Sequence, residues 1–190
     1  LFWARLFPVS AAIIYSNFAA IFAALAAGWA WRLPNTPKWR RATLATLLGI
    51  GSAIAILWPL LAIGLRPPPA GGNVWFKGVA KQTSWATCSP AAAATLFNAE
   101  GIEVSEAEMI PLCLTDYAGT PTLGLYRGVK LIANRHEREV GLLEGGLPRL
   151  IADNDWPVLL SVRLPFGVED RRIVEEWGWF PGMGHSVVIL

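Results

Sequence analysis

The chain has 190 residues, of which 54% are hydrophobic and only 16% charged, and it is too apolar for a wholly soluble domain of this size. All 14 acids lie after residue 66, whereas residues 1–65 carry Arg5, Arg32, Lys38, Arg40 and Arg41 and no acid. The formal net charge of +2 therefore averages two unlike halves and gives no support to nucleic-acid binding, which needs a basic face on a folded domain; no nucleic-acid partner is expected. In chain order, residues 9–31 (VSAAIIYSNFAAIFAALAAGWAW) and 42–65 (ATLATLLGIGSAIAILWPLLAIGL) are uncharged. Each exceeds the roughly 20 helical residues that cross a bilayer core, so two transmembrane helices are predicted. Trp29, Trp31, Trp39 and Trp58 stand near their ends, as in an aromatic belt. A buried pair of core helices is the alternative. A cleaved signal peptide fits less well, because the first stretch is long and a second comes after it.

The joining loop RLPNTPKWRR carries Arg32, Lys38, Arg40 and Arg41. Loops rich in Lys and Arg stay in the cytoplasm, so both chain ends and everything after residue 66 are expected on the extracytoplasmic side of a bacterial cytoplasmic membrane. RPPPAGGN, residues 66–73, reads as a stalk or linker. A second domain runs from about residue 74. The chain starts on Leu and stops on HSVVIL, within an apparent strand, so it reads as a fragment whose second domain is truncated at its C-terminus.

The second domain is predicted to be α+β. SPAAAATLFNAEG reads as a helix with Ser89 as N-cap, Pro90 at the first helical position and Gly101 as terminator. Its alanine run, 91–94, is read as helix propensity. SEAE, 105–108, is a capping box opening a short helix. Residues 122–136 form a third helix, with Leu123, Leu125, Val129, Ile132 and Ala133 on one face. LPRLIADN, 147–154, reads as a short fourth. PVLLSVRL, 157–164, and HSVVIL, 185–190, are strands, the latter apolar enough to be fully buried. Between them lies a long insertion with Gly and Pro turns.

The chemistry centres on KQTSWATCSPAAAATLF, residues 81–97. Cys88 sits at the head of a helix, where unpaired N–H groups and the positive end of the dipole stabilise a thiolate. A nucleophilic cysteine also needs a base. The histidines are His136 and His185. His136 ends a helix in a charged stretch, whereas His185 opens a strand after PGMG, and His185 is the preferred base. Gln82, six residues before Cys88, could fold back beside the sulfur and complete an oxyanion hole with the Cys88 amide. Against this stand a buried, inert Cys88 and a Cys88–Cys113 disulfide. Neither cysteine has metal-ligand spacing around it. Trp177, Trp179 and Phe180 could rim a groove, pack ordinarily or touch the membrane surface.

Gln-x5-Cys at a helix start with a later Gly-His at the head of a strand resembles the papain-like fold. More narrowly, QTSWATCSPAAAATLF, then SEAEMIPLCLTDYAGTPTLGLYRGVKLI and GHSVVIL, resemble the peptidase C39 family, the bacteriocin-processing or double-glycine peptidases, over about residues 77–190. The resemblance implies a thiol peptidase acting on a peptide or protein, without metal or organic cofactor. Cys88 would be the nucleophile, His185 the general base and acid, and Gln82 with the Cys88 amide the oxyanion hole. Ser89 stands where the family has Gly. An Asp or Asn that orients the histidine is expected after residue 190; Asp153, Asp155 and Asp170 precede His185 and do not match. Exporter-fused members of the family act on cytoplasmic leader peptides, whereas the basic loop here places the domain outside, and no ATP-binding P-loop accompanies it. The alternatives to a peptidase are a C39-like module that grips peptides without cutting, and a structural membrane-anchored domain.

Overall fold

A computed structural model of the chain describes residues 2–6, 8–143, 148, 156–167, 170–175 and 179–190. The elements are α1 (Phe2–Leu6), α2 (Ala12–Tyr15), α3 (Phe18–Trp31), α4 (Lys38–Leu65), β1 (Trp75–Phe76), β2 (Val79–Ala80), α5 (Cys88–Ala99), α6 (Glu106–Leu112), α7 (Thr122–Arg135), β3 (Val158–Arg163), α8 (Arg171–Glu175) and β4 (Gly184–Ile189). The architecture is mixed α+β. The predicted helix over 147–154 lies outside the described residues apart from Pro148.

The first apolar stretch is not one continuous helix. It breaks at Ser16–Asn17, where Ser16 Oγ donates to the Ile13 carbonyl and Asn17 takes a non-helical conformation. Asn17 instead spends its amide on the Ala55 carbonyl of α4, at 2.6 Å. Beyond the break, α3 has 14 residues and a length of about 21 Å, short of the roughly 30 Å hydrocarbon core. By contrast α4 is a continuous helix of 28 residues, and its Lys38–Trp58 part is long and apolar enough to span a membrane while almost none of it is buried. The two helices pack as a hairpin on small residues. Ala20 and Ala30 are buried, and Ser52 Oγ donates to the Ala20 carbonyl at 2.7 Å. Small residues allow this close approach, and the Ser52 hydroxyl adds a second polar tie to that of Asn17.

The core of the second domain is built around α5. Ala91, Ala92, Ala93 and Ala94 are all buried, as is Phe97, so the alanine run does more than favour helix. It is what lets α5 lie against β4, α6 and α7 at once. Met109 from α6, Cys113 at its C-cap, and Leu125, Val129, Ile132 and Ala133 from α7 join the cluster, with Ala80, Ile102 and Val104. The apolar face foreseen for α7 is thus buried except for Leu123, which packs with Tyr126 against a small second cluster containing Ala4 and Ala12. That cluster seats α1 and α2 on the second domain. Close packing of α6 on α7 needs glycine. A Cβ at Gly128 would overlap Cys113 Sγ, and one at Gly124 would overlap the Cys113 carbonyl oxygen.

Residues 66–73 are not a free stalk. The Gly72 N–H donates to Glu106 Oε2 at 2.8 Å, and the Gly72 carbonyl accepts from Ala107 N. Arg66 reaches Asp116 at 3.9 Å and lies over the rings of Trp58 and Tyr117. The capping box forms as read: Ser105 Oγ accepts from Glu108 N, and the Glu108 carboxylate accepts from Ser105 N. β3 and β4 pair antiparallel, with Ser161 opposite Ser186, Val162 opposite His185 and Arg163 opposite Gly184. β4 is not fully buried; of its residues only Ser186 is. A two-stranded ribbon has one face on α5 and one outward, so half of an apolar strand stays partly in solvent.

Candidate active site

Cys88 is the first residue of α5, whereas a Ser89 N-cap would start the helix at Pro90. Thr87 holds the N-cap position, but its hydroxyl does not cap the helix; it accepts from Ser84 N and donates to the Ser84 carbonyl. That knot fixes the turn entering α5 and leaves the first-turn N–H groups of a 12-residue helix beside the sulfur. Cys88 is half-buried and free. Its neighbour Ser89 is buried and bonds Ser186 Oγ across the fold at 2.8 Å. The residue expected to cap the helix is therefore the one that ties α5 to β4. This bond joins the residue after Cys88 to the residue after His185.

Cys88 and His185 consequently line one cleft of about 460 Å³, with Trp85 on the entry to α5, Ala118, Gly119 and Thr120 opposite, and Arg163 at the end of β3. Neighbouring strand residues point to opposite faces. The Ser186 contact turns that face toward α5, so His185 projects from the other face, where its ring lies 5.3 Å from the Trp179 ring. Trp179 is itself fixed by a 2.9 Å bond from Nε1 to the Met183 carbonyl. Among the described residues, Cys88 Sγ has Ser89 Oγ at 4.0 Å as its hydrogen-bond neighbour, and no hydrogen bond joins it to His185. Desolvation holds the His185 pKa below its usual 6.5, which favours the neutral imidazole that a general base requires.

Gln82 is exposed and is not among the residues lining the cleft. His136 is exposed at the end of α7, as its charged surroundings implied. The disulfide alternative does not form: both cysteines are free, and Cys113 is buried among α6 and α7, where desolvation pushes its thiol up to about 12. Asp170 immediately precedes α8 and accepts from Arg172 N, while Asp153, Asp155 and Trp177 lie outside the described residues. Phe180 is exposed. No group of three or more His, Cys, Asp or Glu that could hold a metal occurs among the described residues.

Sequence reasoning passed over the Ser89–Ser186 bond, Arg163 and the 118–120 wall. The first had a signal, since a serine directly succeeds both the cysteine and the histidine. The others depend on the register of β3 on β4 and on the turn closed by the Asp116–Gly119 bridge. Comparison of the chain with protein-family models, with curated proteins and with solved structures returned no match.

Proposed function

We propose that the chain is a membrane-anchored cysteine peptidase of the C39 type, with a papain-like domain held by the α3–α4 hairpin. The carrying observation is that Cys88, at the start of α5, and His185, on β4, line the same cleft and are linked by the bond between the serines next to them. In this reading Cys88 Sγ attacks the carbonyl carbon of a peptide bond while His185 accepts the thiol proton. The imidazolium then gives that proton to the leaving amine, and a water activated by the same imidazole hydrolyses the thioester. The Cys88 backbone N–H stabilises the oxyanion. A pair of this kind is commonly looser without substrate than with it. The basic residues Lys38, Arg40 and Arg41 at the start of α4 support a cytoplasmic hairpin loop in a bacterial cytoplasmic membrane, hence an extracytoplasmic domain.

The second reading is a peptide-binding module that does not cut. It is favoured by the position of Gln82 outside the cleft and by the lack of a Cys88–His185 hydrogen bond. Incubating the detergent-solubilised chain with a mixed peptide library and reading new termini by mass spectrometry separates the two. The peptidase reading expects cleavage that Cys88→Ser and His185→Ala both abolish. Peptides retained uncut by wild type and by both variants would replace it with the binding module.

A further inference from the structure

Arg163 is exposed at the end of β3, opposite Gly184. By register and alternation, Ser161, Arg163, Gly184 and Ser186 share the ribbon face that meets α5. Gly184 presents no side chain across from the guanidinium, and a Cβ there would meet nothing nearer than the Val162 carbonyl, at 3.9 Å. The space beside Arg163 is therefore open. Among the described residues lining the cleft none is an Asp or Glu, and Arg163 is the only Lys or Arg. The positive end of α5 adds to the same field. A guanidinium in a concave, acid-free site is a planar fork that matches a carboxylate.

We infer that the cleft contains an anion subsite in which Arg163 takes a carboxylate of the bound peptide, either an Asp or Glu side chain or the chain's own C-terminus. This deepens the peptide-site reading of the cleft and rests on it for the substrate class, but its first test needs no catalysis.

The test compares Cys88 alkylation by iodoacetate and by iodoacetamide in the full chain in neutral detergent micelles, with readout by mass spectrometry. The charged reagent should gain about tenfold relative to the neutral one, and Arg163→Gln should remove that gain, read as the ratio of the two rates so that any change in thiolate population cancels. Arg163→Lys should retain most of the gain. Equal ratios in wild type and Arg163→Gln, or equal loss in the Gln and Lys variants, would overturn the subsite. The dependence of the iodoacetamide rate on His185 reports on the peptidase reading, and the reagent ratio on Arg163, so the two ideas fail separately. Short Gly/Ala peptides then distinguish the carboxylate's source by protecting Cys88 from iodoacetamide. One has an internal Asp and an amidated end, one a free C-terminus and no acid, and one neither. Protection by one of the first two peptides, lost in Arg163→Gln, identifies the source; equal protection by all three, or protection by none, contradicts the proposal.

Discussion

Glu106 offers a quantitative check on how the second domain holds the segment leading to Cys88. It is 1% exposed, and its carboxylate accepts from the Thr83 N–H at 2.8 Å, the Gly72 N–H at 2.8 Å and the Thr83 hydroxyl at 2.9 Å. One side chain thus clamps both the segment that leaves α4 and the turn-rich segment before Cys88. In Glu106→Gln the amide oxygen can keep the Gly72 and Thr83 hydroxyl bonds, but the amide nitrogen then faces the Thr83 N–H. A buried donor left facing a donor costs about 1–3 kcal/mol. For a chain of this length about 2–4 °C accompanies each kcal/mol, so a loss of about 2 kcal/mol lowers the melting temperature by about 4–8 °C. Glu106→Ala removes both acceptor oxygens and all three bonds, and should cost more, about 3–5 kcal/mol. The assay is thermal unfolding in micelles by circular dichroism, with hydrogen exchange at the Gly72 and Thr83 amides as a report on release of the clamped segments. Glu108, in the same turn but exposed, is the control. Gln also serves in a capping box, so Glu108→Gln should stay within about 0.5 kcal/mol of wild type. If Glu106→Gln behaves like Glu108→Gln, the clamp does not exist as described.

The packing and charge of the site set three further outcomes. Gly128→Ala forces a methyl onto Cys113 Sγ, 3.0 Å from the Cys113 amide nitrogen, and should destabilise by about 1–3 kcal/mol, with part of that loss recovered in a Cys113→Ala background in a thermal double-mutant cycle. Ser89→Ala and Ser186→Ala each strand a buried hydroxyl and should each cost about 1–2 kcal/mol, while the double variant should lose less than their sum. Because desolvation lowers the His185 pKa in the folded state, the unfolded chain takes up this proton first as pH falls. The His185 contribution to stability is therefore intact above about 6.5, declines as pH drops through that value, and levels off below the folded pKa. Melting temperatures across about pH 5–8 should show that slope in wild type and not in His185→Gln.

Much of the second domain was legible locally. The capping box at Ser105–Glu108, the buried face of α7 and the two strands all depend on patterns within a few residues, and those patterns agree with the tertiary fold. What escaped were positions claimed by distant partners. Ser89 looks like a helix cap, but Ser186, across the cleft, takes its hydroxyl. Glu106 looks like a solvated member of an acidic first turn, but its partners lie at Gly72 and Thr83. The β1–β2 hairpin was missed because each strand has two residues and its turn is Lys77–Gly78, both at positive φ; a Gly between aromatic and β-branched residues was the available signal. Hydropathy alone gave 9–31 as one span, since Ser16 and Asn17 are uncharged. Only the Asn17 bond to α4 reveals why the helix restarts there. That Cys88 starts a helix and His185 lies near the head of a strand was legible locally, whereas the placement of Gln82 was not, because five intervening residues fix neither the path nor the exposure of a loop.

The most direct test of the central claim is the alkylation rate of each cysteine against pH on reduced protein, in wild type and His185→Ala. Cys113 should remain inert until the protein unfolds, because burial raises its thiol to about 12. Cys88 should react faster than the same cysteine in the unfolded chain near neutral pH, and His185→Ala should erase that advantage. A Cys88 rate equal to that of the unfolded chain and unchanged by His185→Ala would contradict a nucleophile–base pair in this cleft.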